Sequence, residues 1–173
     1  MRFSVSRFQK SFEDYFLKKA IDPLKIEEAV EGLKKSGKTI ATLNGSFDLL
    51  HAGHLHIIYE AAKQADLLIV ALNTDSSIQK YKSPKRPIIS LPNRTRMMAA
   101  LGFVDYVTCF DETDPRAILE KIRPHVHVNG AEYGADCIEA EVVKKHGGKI
   151  HIVPLVPGLS TSNIIKKIIE TCV

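Results

Sequence analysis

The chain has 173 residues, enough for one domain with a sizeable core, and its 45% hydrophobic and 25% charged residues describe a globular rather than a disordered chain. A net charge of +4 suits small anionic ligands, and the sequence lacks the basic stripe interleaved with aromatics that a nucleic acid would require. The longest apolar run, near Leu67–Leu72, is far too short to cross a bilayer. The N-terminus carries no apolar signal core, and three scattered cysteines (Cys109, Cys137, Cys172) point to reduced thiols in the cytoplasm.

Residues 1–24 are expected to form a helical extension. Phe8, Phe12, Tyr15 and Phe16 fall at helical spacing with charges between them, a face to pack on the domain or on a second subunit. A single domain over 25–173 follows. Pro23 is expected to open a helix through Ile26, Ala29, Val30 and Leu33, stopping at Ser36-Gly37. Lys38–Leu43 reads as a short strand, and Leu55–Lys63 as a helix with Leu55, Ile58 and Ala62 on one face.

Between that strand and helix lies Asn44-Gly-Ser-Phe-Asp-Leu-Leu-His51-Ala-Gly-His54. A strand running through small residues into a helix start leaves backbone N–H groups unpaired and suits a phosphate. Gly45 and Gly53 are expected to let a ligand approach the backbone closely. His51 and His54 are three apart and share a helix face, placed to donate to phosphate oxygens as charge develops. A metal reading of His51, His54 and His56 lacks a Cys or carboxylate to complete a tetrahedral set.

The run Asp66–Leu72 reads as a strand buried on both faces, ending at Asn73 and Asp75 on the sheet edge where open α/β folds place ligands. Asp75 or a following serine is expected to cap the next helix. Lys80, Lys82, Lys85 and Arg86 then cluster in a loop, before Arg94 and a helix over Met97–Leu101. Asp105–Phe110 is a third strand, and Asp111–Pro115 caps a helix. Pro124–Val128 is a fourth strand, with His125 and His127 on one face as structural residues. It ends in Asn129-Gly130-Ala-Glu132-Tyr133, again on the ligand side. Ile150–Val153 is a fifth. Ser160 or Thr161 is expected to cap the last helix and form a second anion site. Strand and helix alternating in this way predict an α/β doubly wound parallel sheet, Rossmann-like.

Gly45-Ser-Phe-Asp-Leu-Leu-His51-Ala-Gly-His54 resembles the G-x-F-D-x-x-H-x-G-H signature of the cytidylyltransferase-like nucleotidyltransferases, and Gly158-Leu-Ser160-Thr-Ser resembles their G-[IC]-S-T-[ST] signature. Over Leu24–Val173 the chain is most similar to the branch that adenylylates heptose 1-phosphate, through Val70–Ser77, Arg86-Pro87 and Ser160–Ile168. In many bacteria that domain is fused behind a sugar kinase, so the kinase step is expected from a separate protein.

The resemblance implies transfer of the adenylyl group of ATP to D-glycero-β-D-manno-heptose 1-phosphate, giving ADP-heptose and pyrophosphate for the lipopolysaccharide core. It implies His51, His54, Lys82 and Arg94 as catalytic residues. The nucleotide would lie against Asn44, Gly45, Ser46, Phe47, Gly53, Asn129, Gly130, Ser160 and Thr161. The sugar phosphate would lie against Asp48, Asn73, Asp75, Glu132 and Tyr133. Mg²⁺ is expected as a bridge between phosphates with few protein ligands, and a homodimer as the assembly. Where members of that branch usually have Lys-Gly-x-Asp, this chain has Asn129-Gly-Ala-Glu132. Where cytidylyltransferases carry Arg-Thr, it has Val156-Pro157. A CTP-dependent enzyme acting on glycerol 3-phosphate, and a non-catalytic nucleotide-binding module, are the competing readings.

Overall fold

Each apolar run of the sequence becomes a strand sandwiched between helices, and the five strands pair in parallel in the order β3-β2-β1-β4-β5. The structure is a computed structural model that describes residues 11–172. The strands are β1 (Ile40–Gly45), β2 (Leu67–Asn73), β3 (Tyr106–Phe110), β4 (Val126–Gly130) and β5 (Lys149–Val153). The helices are α1 (Phe12–Leu17), α2 (Ile26–Lys35), α3 (Ala52–Ala62), α4 (Asp75–Tyr81), α5 (Leu91–Ala100), α6 (Arg116–Ile122), α7 (Ala140–Lys145) and α8 (Thr161–Cys172). This is the doubly wound, Rossmann-like fold read from the sequence. None of the described helices is long and apolar enough to cross a membrane.

Strand periodicity sends alternate side chains into two cores. Ala41, Leu43, Leu68, Val70, Leu72 and Val128 meet Phe16, Ile58, Ala61, Met98 and Ala99, from α1, α3 and α5. Ile40, Ile69, Ala71 and Phe110 meet Ile26 and Val30 of α2, Ile118, Leu119 and Ile122 of α6, and Val142 and Val143 of α7.

Several boundaries differ from the sequence reading. Pro23 lies in a turn and α2 begins at Ile26, because Leu24 N–H bonds Asp22 and Lys25 N–H bonds the Asp22 carbonyl ahead of the helix. Thr74, not Asp75, caps α4 by accepting the Ser77 N–H, while Asp75 reaches across to accept the Leu91 N–H that starts α5. That distant cap moves the start of α5 from Met97 back to Leu91. Strand β4 runs two residues later than expected: at its start Ile40 N–H bonds the His125 ring, and at its end Asn129 and Gly130 pair with Ile152 and Val153 of β5.

The segment after α1 closes an edge of the sheet. Ile21 N–H donates to the Val107 carbonyl and Val107 N–H to the Lys19 carbonyl, both at 2.8 Å, and Lys19 Nζ caps the carbonyls of Leu101 and Val104. Phe16 is buried on the domain as the amphipathic pattern implied; Phe8 lies outside the described residues.

Candidate active site

The strand order reverses between β1 and β4, and a crevice opens beyond their C-terminal ends, where open α/β sheets hold ligands. It is a cavity of about 330 Å³. One wall is Asn44, Gly45, Ser46 and Phe47 from the end of β1, with His51, Gly53 and His54 from the start of α3. Another is Asn129, Gly130, Glu132 and Tyr133 beyond β4. Ser160 and Thr161 at the start of α8 and the Lys82 side chain also line it, and Ile57, Val153, Pro154, Leu155, Val156 and Leu159 supply its apolar surface. Two helix N-termini, far apart in sequence, therefore open onto one space.

The local geometry follows from caps. His51 is extended and is the N-cap of α3, its Nδ1 accepting the His54 N–H at 3.3 Å. This starts the helix three residues earlier than hydrophobic spacing suggests. It also stacks the two imidazoles, with centroids 3.7 Å apart and planes within 20°. Phe47, held at φ 43, turns its ring edge-on to His54 at 5.1 Å. At the other helix, Ser160 Oγ accepts the Asn163 N–H at 3.1 Å, so Ser160 is the cap of α8.

Burial first, then His51 and, least, Lys82 lower the pKa of His54 to about 4, against an opposing backbone bond at Leu49 that outranks Lys82; burial lowers that of His51 as well. Both rings are neutral N–H donors at pH 7 in the free protein, and a bound polyanion would draw protons toward them. His54 Nδ1 and Asn44 Oδ1 are buried without a protein partner among the described residues, two unmet polar atoms in the cavity region.

The two glycines on the cavity wall also make room for the protein's own side chains. A β-carbon on Gly45 would meet the Phe47 ring at 3.0 Å, and one on Gly53 would meet the His51 ring at 3.0 Å and Leu159 at 3.2 Å. Gly130 is similar, since the Glu132 carboxylate folds into the space a β-carbon would occupy.

Four residues assigned from sequence, Arg94 as catalytic and Asp48, Asn73 and Asp75 to the sugar phosphate, do not line this cavity. Arg94 is 1% exposed. Its guanidinium donates to the carbonyls of Ile89 (2.9 Å), Ser46 (2.7 Å) and Asn73 (2.9 Å) and to Asp75 Oδ1 (2.6 Å). It staples the β1 turn, the end of β2 and the loop before α5, using four of its five N–H donors on that task. Asp75 is its partner, and Asn73 is buried, bonding Ser77. Asp48 is also 1% exposed. It accepts the N–H groups of Ile88 and Ile89 at 2.8 Å and Arg86 Nε at 2.6 Å. Burial pushes its carboxyl up, but those two amides and Arg86 outweigh it and hold the pKa below the usual range. Asp48 thus fixes the 86–89 loop.

Of the loop cations, Lys80 pairs with Asp111 at 3.1 Å and Arg86 with Asp48. Lys82 alone of them lies on the cavity wall, its Nζ donating to Ser46 Oγ at 2.9 Å; burial and Arg86 lower its pKa. Asn129, standing where the branch usually has lysine, is 4% exposed and donates to the buried Glu139 carboxylate at 3.3 Å. Sequence reading missed this Glu139 contact and the apolar surface of Leu155, Val156 and Leu159. No local pattern marks either.

The sequence model of the cytidylyltransferase-like family matches residues 42–167, spanning β1 to α8 and every cavity wall just described. The chain belongs to the cytidylyltransferase-like family of nucleotidyltransferases. Among its curated relatives are three bifunctional HldE proteins. Identity is 38% over 84% of this chain for that of Syntrophotalea carbinolica, 43% over 81% for Azotobacter vinelandii and 44% over 79% for Geobacter sulfurreducens. The chain spans only 30%, 30% and 28% of those proteins. A solved structure described as the lipopolysaccharide core biosynthesis protein from Thermoplasma volcanium GSS1 superposes with a TM-score of 0.56 at 28% identity, over 69% of this chain and 98% of that one. Pantoate-β-alanine ligase from Francisella tularensis shares the fold, with a TM-score of 0.57 at 15% identity, over 88% of this chain and 79% of that one.

Proposed function

We propose that the chain transfers the adenylyl group of ATP to a sugar 1-phosphate, D-glycero-β-D-manno-heptose 1-phosphate, releasing pyrophosphate. The observation that carries the reading is the convergence of the α3 and α8 N-termini on one cavity, with stacked His51 and His54 and the Lys82 ammonium on its wall. The HldE relatives and the lipopolysaccharide-related structure support a sugar acceptor.

The reaction is a single displacement. A phosphate oxygen of the acceptor bonds to the α-phosphorus, and the bond from that phosphorus to the bridging oxygen of pyrophosphate breaks. The nucleophile is already an anion, so orientation and charge stabilisation carry the rate. His51 and His54 donate to the α-phosphoryl oxygens. Lys82, Ser160 and the free N–H groups of α8 hold the departing pyrophosphate, with Thr161 beside them. The apolar surface of Val153, Leu155, Val156 and Leu159 receives the base, and Glu132 and Tyr133 face the sugar. Arg94, Asp48, Asn73 and Asp75 act one layer back, fixing the loops that carry these groups.

Magnesium enters with ATP as part of the substrate, neutralising phosphate charge. Its preferred hard oxygen ligands are the phosphates themselves, with Glu132 the one carboxylate on the described cavity wall. A homodimer in the cytoplasm belongs to the same reading; Ile168 and Ile169 of α8, 49% and 58% exposed, offer apolar surface for it.

Pyrophosphate release is the test, with MgATP and MgCTP each crossed against heptose 1-phosphate and glycerol 3-phosphate. Turnover with ATP and heptose 1-phosphate alone is the expected result. Turnover only with CTP moves the chain to the cytidylyl branch, and binding of nucleotide with no turnover in any combination overturns catalysis with these acceptors.

A further inference from the structure

Lys82 follows α4 as its C-cap and carries a flexible four-carbon stem on the cavity wall. Among the described residues it has no carboxylate within ion-pair distance, unlike Lys80, which Asp111 holds. What stands beside it instead is the Tyr81 ring, its centroid 5.6 Å from Lys82 Nζ. The ring is itself tethered. Its hydroxyl lies 3.5 Å from Asn73 Oδ1, Asn73 Nδ2 donates to Ser77 Oγ at 3.0 Å, and Ser77 Oγ donates to the Glu112 carbonyl at 2.6 Å.

We propose that Tyr81 is a positioning residue for Lys82, holding the ammonium toward the cavity over an aromatic face. The proposal rests on the reading that Lys82 grips the triphosphate. A carboxylate would hold the ammonium more firmly, but it would compete with phosphate for the same charge. An aromatic face restricts the lysine stem and leaves the positive charge available. The tether through Asn73 and Ser77 fixes the ring to the end of β2, so the lysine is aimed by the sheet rather than by its own rotamers.

The experiment is a double-mutant cycle on ligand affinity, measured by calorimetric titration with inorganic tripolyphosphate and with MgATP. The proteins are the parent, Tyr81→Leu, Tyr81→Phe, Lys82→Ala and the Tyr81→Leu/Lys82→Ala double variant. Tripolyphosphate isolates the phosphate grip from base and acceptor. Lys82→Ala should weaken both ligands about tenfold or more, and Tyr81→Leu about three- to tenfold. Tyr81→Phe keeps the ring but loses the hydroxyl tether and should fall between Tyr81→Leu and the parent, and the double variant should bind no worse than Lys82→Ala. Parental affinity in Tyr81→Leu, or additive losses in the double variant, with Lys82→Ala impaired, would overturn the positioning role alone. Parental affinity in Lys82→Ala would overturn the triphosphate role of Lys82, and the proposal with it.

Discussion

Replacing Arg94 by methionine separates two accounts of this residue. Its side chain is wholly enclosed, and four hydrogen bonds leave it, one of them to the Asp75 carboxylate at 2.6 Å. Methionine fills much of the same volume but strands three backbone carbonyls and leaves the Asp75 carboxylate without its cation. Removing one partner of a buried ion pair costs about 3–5 kcal/mol. Asp75 retains 37% side-chain exposure and can turn to water, which puts the expectation near the lower end, about 3 kcal/mol. For a chain of this length each kcal/mol moves the melting temperature by about 2–4 °C, so Arg94→Met should melt about 6–12 °C below the parent. The assay is thermal unfolding of the free protein followed by circular dichroism, with no nucleotide present. A variant that melts within about 2 °C of the parent yet loses ATP affinity would refute the reasoning. The guanidinium would then be spending its donors on substrate, as the sequence resemblance implied.

Two further outcomes are expected. His54→Ala removes a ring from the cavity wall, so it should lower kcat by about 10²–10³-fold; near-parental turnover in steady-state pyrophosphate release would contradict its role. The buried His127 makes stability fall with acid. Its ring is fully enclosed against the Thr42 hydroxyl at 2.8 Å, and burial lowers its pKa from 6.5 to about 3. Its depressed folded pKa means the unfolded chain takes up the proton first. Stability is full above pH 6.5 and declines as pH falls toward about 3. Between pH 7 and 5 this one group should cost about 2 kcal/mol, read by urea unfolding at both pH values; a His127→Gln variant with an undiminished slope would contradict the assignment.

The apolar runs, the caps and the glycine-rich turn made most of this protein legible as a sequence. A continuous run such as Leu67–Leu72 can only be buried on both faces, and five such runs alternating with amphipathic segments leave few arrangements besides a parallel sheet between helices. The junction from Asn44 to His54 announced a phosphate-suited helix start because its signal is local. Ser160 before α8 did the same, since a cap acts within three residues. Which charged residue faces ligand and which is spent inside was decided only by tertiary structure. Arg94 and Ser46 are 48 positions apart, and Arg86 and Asp48 are 38 apart. From sequence each reads as a polar side chain near a ligand edge. Folding brings the partners together and turns Arg94 and Asp48 into braces, leaving Lys82 on the cavity wall. The stacking of His51 on His54 belongs to the same class. Spacing put both on one helix face, but the extended cap conformation of His51, with Phe47 edge-on to His54 from the β1 turn, set the rings parallel. A hydrogen bond or ring contact between distant segments leaves no periodicity in either one, and only the packed chain reveals it.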